Sequence, residues 1–122
     1  KELNGLFGAG DGFVTKIDTK MTGYQSIRFS SYLGGNCFDE ATDVAIDRFD
    51  KVYVTGSSDW FPLLCAGFAT TTGAAHVDRI GWEDAFLMKL VINEQQVGAI
   101  YSSFLGTQHV ADLHGVVVHD VR

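Results

Sequence analysis

The sequence predicts an all-β fold, and three observations carry that prediction. Apolar residues come in short runs of strand length bounded by glycine and polar turn residues, and no segment shows the spacing of an amphipathic helix. Fourteen glycines against a single proline suit a chain with many tight turns. The third observation is a repetition. Asp11-Gly12-Phe13-Val14-Thr15-Lys16-Ile17 returns as Asp84-Ala85-Phe86-Leu87-Met88-Lys89-Leu90, and Arg28-Phe29-Ser30-Ser31-Tyr32-Leu33-Gly34-Gly35 returns as Ile100-Tyr101-Ser102-Ser103-Phe104-Leu105-Gly106-Thr107. Asp43-Val44-Ala45-Ile46-Asp47 returns as Gly115-Val116-Val117-Val118-His119. Three matches in one order, at an offset of 72 or 73 positions, mark an internal repeat of one supersecondary unit.

Taken in order, the first strand is residues 13–17, between Gly10-Asp11-Gly12 and Asp18-Thr19-Lys20. The second is 26–33, rich in aromatic and hydroxyl side chains and stopped by Gly34-Gly35. Residues 42–47 and 52–55 flank the polar turn Arg48-Phe49-Asp50-Lys51 and read as a hairpin. Residues 85–92 and 99–105 form a second pair around Asn93-Glu94-Gln95-Gln96, and 114–119 is the last strand. These strands carry apolar residues on both faces: Val44 and Ile46 oppose Ala45, and Phe86, Met88 and Leu90 oppose Leu87 and Val91. That pattern predicts sheets covered on both sides. The stretch 57–83 breaks it and reads as a long loop, the place where binding residues are expected.

Length and charge narrow the function. The 122 residues fit one ordinary domain, and 46% hydrophobic with 20% charged residues is the composition of a folded chain. A net charge of −6 with nine scattered basic residues argues against a nucleic-acid partner. No apolar run approaches the ~20 residues of a membrane-spanning helix, so no transmembrane segment is expected. The chain starts at Lys1 without a basic-then-apolar leader, and the expectation is a processed product or an excerpt. With two cysteines and no Cys-x-x-Cys pair, neither a zinc ribbon nor a thioredoxin-type motif is present.

The repeated strings also resemble a known family. Ser30-Ser31-Tyr32-Leu33-Gly34-Gly35, an acidic loop, Asp43-Val44-Ala45-Ile46-Asp47, Val52-Tyr53-Val54-Thr55-Gly56 and Asp59-Trp60-Phe61-Pro62 are similar, in that order, to the SBBP-type β-propeller repeat. So is Asp84-Ala85-Phe86-Leu87-Met88-Lys89-Leu90; the likeness covers roughly 10–62 and 83–120. The resemblance implies four-stranded antiparallel blades set radially, in bacterial extracellular or cell-surface proteins. It implies no catalytic activity, because the motif residues are glycines, aromatics and core aliphatics. It divides the chain into the last strands of one blade (1–35), one complete blade (36–107, with its long loop at 57–83) and the first strand of the next (108–122). A propeller closes with about 4–8 blades, so further blades from the same or other chains are the expected partners. The sequence departs from the pattern at Asp50, which stands where the hairpin usually has glycine, in the length of the loop 63–81, and at Thr107.

Candidate sites follow from the blade topology that the resemblance implies. Cys37 and Cys65 fall in links opening on the same face, and a disulfide between them is expected, with two unpaired thiols as the alternative. The same face collects Asp39, Glu40, Asp59, Asp78, Glu83 and Asp84. Asp39, Glu40 and Asp59 are the residues a Ca²⁺ ion would find there, but no EF-hand spacing is present and no cofactor is expected. Trp60 and Trp82 flank the long loop as candidate binding residues, whereas Phe61 and Pro62 fit packing between blades. His109, His114 and His119 do not share a strand face, which excludes a histidine metal site. Gly8-Ala9-Gly10-Asp11-Gly12 lacks phosphate-loop spacing and reads as a turn, and there is no nucleophile elbow. The expected function is therefore a non-enzymatic structural or binding module of a secreted or surface β-propeller, presenting loops to a protein or glycan partner. The alternatives are a carbohydrate-binding propeller and a fragment of a propeller glycosidase or lyase.

Overall fold

The computed structural model describes residues 10–59, 68–106 and 115–117. These residues form an all-β structure of two antiparallel sheets, neither of them closed. The first sheet pairs β1 (Gly12–Ile17) with β2 (Ile27–Leu33). The second is a four-stranded meander in chain order, β3 (Asp39–Ile46), β4 (Lys51–Asp59), β5 (Glu83–Ile92) and β6 (Val97–Leu105). Among the described residues the helical structure is one four-residue 3₁₀ turn, Gly23–Ser26. No helix among them is long and apolar enough to cross a membrane.

The repeat seen in the sequence is a repeat of strand pairing. Phe13 lies opposite Tyr32 and Phe86 opposite Phe104; Val14 lies opposite Ser31 and Leu87 opposite Ser103. The register slips after Lys16 in one sheet and after Lys89 in the other. Side-chain bonds recur as well: the Ser31 hydroxyl donates to the Tyr32 carbonyl (2.9 Å) and that of Ser103 to the Phe104 carbonyl (2.8 Å). Because register fixes which side chains share a face, equal sequence strings have produced equal surfaces.

The β3–β4 hairpin turns on Asp47. Its carboxylate accepts the backbone N–H groups of Phe49 (2.8 Å) and Lys51 (2.9 Å) and the Tyr53 hydroxyl (3.1 Å). Partial burial pushes this carboxyl upward, but those donors, with Lys89 beside them, hold it below the ordinary carboxylate range. Asp50 takes the left-handed backbone at φ 58°, the position where a glycine was expected and where aspartate is among the best-tolerated substitutes.

The core lies between the two sheets. Phe29 and Leu33 of β2 pack against Val52 and Val54 of β4, Phe86, Met88, Leu90 and Ile92 of β5, and Phe104 of β6. Phe68 closes over this cluster, its ring 4.8 Å from that of Phe86 and 5.1 Å from that of Phe104, the offset tilted contact that aromatic rings favour. Burial on both faces holds for β4 and β5, but not for β3, whose Val44 and Ile46 are exposed. Val44 and Ile46 lie opposite Val54 and Val52, on the face that carries the core, but the buried cluster does not extend over β3.

Two further expectations are corrected. β4 continues through Ser57 and Ser58 to Asp59, and β5 starts at Glu83, so both ends of the loop predicted over 57–83 belong to strands. Of the last predicted strand, 115–117 are described and carry no strand pairing; the Val116 N–H donates to the Asp43 carboxylate at 3.0 Å, and the remainder lies outside the described residues.

Candidate functional site

One end of the four-stranded sheet gathers the acidic residues, and strand register puts them there. Asp39 opens β3 opposite Ser58, Asp59 closes β4 opposite Glu83, and Asp84 lies opposite Ser58 from the β5 side. Asp39, Glu40, Asp59, Glu83 and Asp84 therefore share one end of the sheet.

Their environments differ. Asp84 is buried and accepts the backbone N–H groups of Ile80 (2.6 Å) and Gly81 (2.9 Å), so it folds the end of the long loop back onto β5. A Cβ on Gly106 would stand 2.4 Å from this carboxyl group, so the tight approach needs a residue without one. The repeat preserves the arrangement: a Cβ on Gly34 would lie 2.7 Å from carboxylate oxygens of both Asp11 and Asp39. Asp39 is buried, with one oxygen accepting the Gly35 N–H at 2.7 Å and the other unpartnered among the described residues. Burial first, then the nearby Asp11 carboxylate, raises its carboxyl above the ordinary value, against the opposing pull of Ser58, Gly35 and Arg79. Glu40 is exposed and Asp59 half-buried.

Arg79 is the residue that sequence reasoning missed. It comes from the long loop, and its guanidinium donates to the Asp59 carbonyl and the Ser58 hydroxyl while lying 5.5 Å above the Phe104 ring. Burial lowers its basicity; Asp39, Asp84 and Asp59 pull it back. The acidic end thus carries its own counter-charge. Among the described residues no group of three His, Cys, Asp or Glu side chains is arranged to hold a metal ion.

The long loop is anchored to the sheet through its described residues. Its described part runs along the outer edge of β6. Thr71 N–H donates to the Ser102 carbonyl (3.0 Å), Phe104 N–H to the His76 carbonyl (3.1 Å), Ser102 N–H to the Thr71 hydroxyl (2.9 Å) and His76 N–H to the Ser103 hydroxyl (3.0 Å). Exposed strand edges invite further strands, and covering one is a way to prevent that. With Arg79→Met we expect a loss of about 2 kcal/mol from the charged hydrogen bonds and faster amide exchange at Ser102 and Phe104. Unchanged exchange at those two amides would show that Arg79 does not hold the loop.

Of the other candidates, Trp82 is exposed in the turn that leads into β5. Trp60 and Cys65 lie outside the described residues. Cys37 is buried and its sulfur is bonded rather than a free thiol; the pairing with Cys65 remains a proposal. Beside Asp39 and Glu40 an open cleft of about 390 Å³ runs between β1 and β3, walled by Phe13 and Phe38. In the comparisons with known proteins, no family model, no curated protein and no solved structure matches this chain.

Proposed function

We propose that this chain is a non-enzymatic structural and binding module of the β-propeller type: one four-stranded blade with the last strands of the blade before it, from a secreted or surface protein. Its role is presentation. Rigid sheets hold one end, rich in carboxylates and carrying the exposed Trp82, against a partner. The observation that carries this reading is the repeated pairing register of the two sheets together with their face-to-face packing, the mode of association expected of stacked repeats. The bonded sulfur of Cys37 suits an oxidising compartment. An enzymatic role is not favoured, because the buried Asp39 and Asp84 carboxylates accept backbone N–H groups of their own loops.

An indole at a loop rim beside carboxylates suits a glycan, whose C–H faces stack on the ring while its hydroxyls donate to the carboxylates. A glycan array followed by titration of intrinsic tryptophan fluorescence tests this. We expect saturable binding that Trp82→Ala weakens at least ~10-fold, about 1.4 kcal/mol. Binding that survives Trp82→Ala undiminished would remove Trp82 from the site, and silence on both glycan and protein arrays would leave a purely structural module.

A further inference from the structure

Asp39 stands where the two sheets are tied together. Its N–H donates to the Gly10 carbonyl (2.8 Å), and one of its carboxylate oxygens accepts the Gly35 N–H (2.7 Å). A single residue of β3 thus holds both the segment entering β1 and the link leaving β2. Gly10 and Phe38 form a parallel bridge beside it. Asp39 is only 3% exposed, yet its second carboxylate oxygen has no hydrogen-bond partner among the described residues. Burying an ionised oxygen without a donor is unfavourable, and a native fold that does so calls for a reason.

The surroundings make the charge harder to keep. The Asp11 carboxylate, just ahead of β1, faces Asp39 across Gly34: an oxygen of each stands 2.7 Å from the point a Cβ would occupy there. That is inside the ~4–6 Å over which like charges disfavour ionisation. The opposing pulls are the Ser58 hydroxyl of β4, the Gly35 N–H and Arg79 of the long loop. Arg79 is shared, since it also answers Asp84 and Asp59 and is hydrogen-bonded to the Asp59 carbonyl and the Ser58 hydroxyl. The junction therefore holds more carboxylates than its one guanidinium neutralises. A proton on Asp39 removes a buried charge and its repulsion with Asp11, and still leaves an oxygen to accept the Gly35 N–H. We infer that Asp39 is a proton-operated clasp between the two sheets, tight when the residue is neutral and looser when it carries charge.

The sign follows from the raised carboxyl. The stabilisation from its neutral form is complete below the ordinary value of 3.8 and is lost as pH rises through the higher value in the fold. Asp43 and Asp47 are held below the ordinary range, so their loss begins only further into acid. Mild acid thus tightens this junction while leaving the β3–β4 hairpin as it was.

A carbon-13 titration of the aspartate carboxyl groups, combined with amide exchange corrected for intrinsic rates, tests the clasp. Asp39 should titrate above the ordinary carboxyl range. Protection of the Asp39 and Gly35 amides should be several-fold greater in mild acid than at neutral pH, with no gain at Lys51, whose N–H is held by Asp47. Asp39→Asn keeps an acceptor for Gly35 but cannot ionise, so at neutral pH it should show the acid level of protection and no dependence on pH. Asp11→Asn should leave the transition in place and move it to lower pH. Titration of Asp39 at or below the ordinary value overturns the inference, as does pH-independent protection of the two amides in the wild type or a dependence that survives in Asp39→Asn. The carboxyl titration and the Asp11→Asn shift decide the matter even if Asp39→Asn does not fold.

Discussion

Gly56→Ala is expected to destabilise the protein by more than about 4 kcal/mol, the range reached only by a few mechanisms. Any Cβ at this position would sit 1.8 Å from the Glu40 carbonyl oxygen and 2.7 Å from the Phe86 ring. The oxygen belongs to β3 at the point where its pairing with β4 is irregular, so it cannot yield without separating the two strands. Overpacking of ordinary side chains costs less, typically 1–3 kcal/mol, because rotamers can adjust; here the obstacle is backbone. Gly98→Ala is the matched control, since nothing lies within 4 Å of a Cβ there. A urea midpoint for Gly56→Ala equal to that of Gly98→Ala would refute the argument. Trimming the ring in the double variant with Phe86→Ala should give no rescue, because the Glu40 carbonyl stays in place.

Phe86→Ala on its own should cost about 3–5 kcal/mol and lower the melting midpoint by roughly 10–20 °C. Phe86 is fully buried, touches Phe68, and belongs to the cluster joining both sheets. The informative comparison is Phe13→Ala, the same change at the equivalent position of the repeat. In dilute solution it should fall within about 0.5 kcal/mol of wild type, as surface substitutions do. Equal losses at the two positions would mean that Phe13 is covered in solution.

What could be read from the residues alone was whatever is written in repetition. Short apolar runs between turn residues placed every described strand, and equal strings gave equal registers, because a period of two leaves little freedom once one face must be buried. The extension of β4 was hidden, since Gly56-Ser57-Ser58 has the chemistry of a turn. Gly56 lacks a side chain for a packing reason that appears only when Glu40 and Phe86 are placed beside it. The exposure of β3 was likewise invisible, because apolar content reports what a strand prefers to touch and not whether a neighbour is there. At the candidate site, the grouping of carboxylates on one face was expected only from the blade topology that the resemblance implies, since the predicted strands 42–47 and 52–55 stopped short of Asp39 and Asp59. Arg79 was not expected, since a lone arginine in an aperiodic loop carries no pattern, and its partners are a carbonyl, a hydroxyl and a ring.

The strip of chain hydrogen-bonded along β6 bears on how such molecules crowd together. A β-sheet can enlarge in two perpendicular directions, by stacking side chains on its broad surface or by adding strands along its amide rungs. The second route is indifferent to side-chain shape and leads toward cross-β fibres. With Thr71 and His76 occupying the rungs of β6, growth on that flank is confined to the first route, where fit depends on particular side chains. Material accumulating at high local concentration would thus be steered toward ordered stacking at that edge and away from fibrous precipitation.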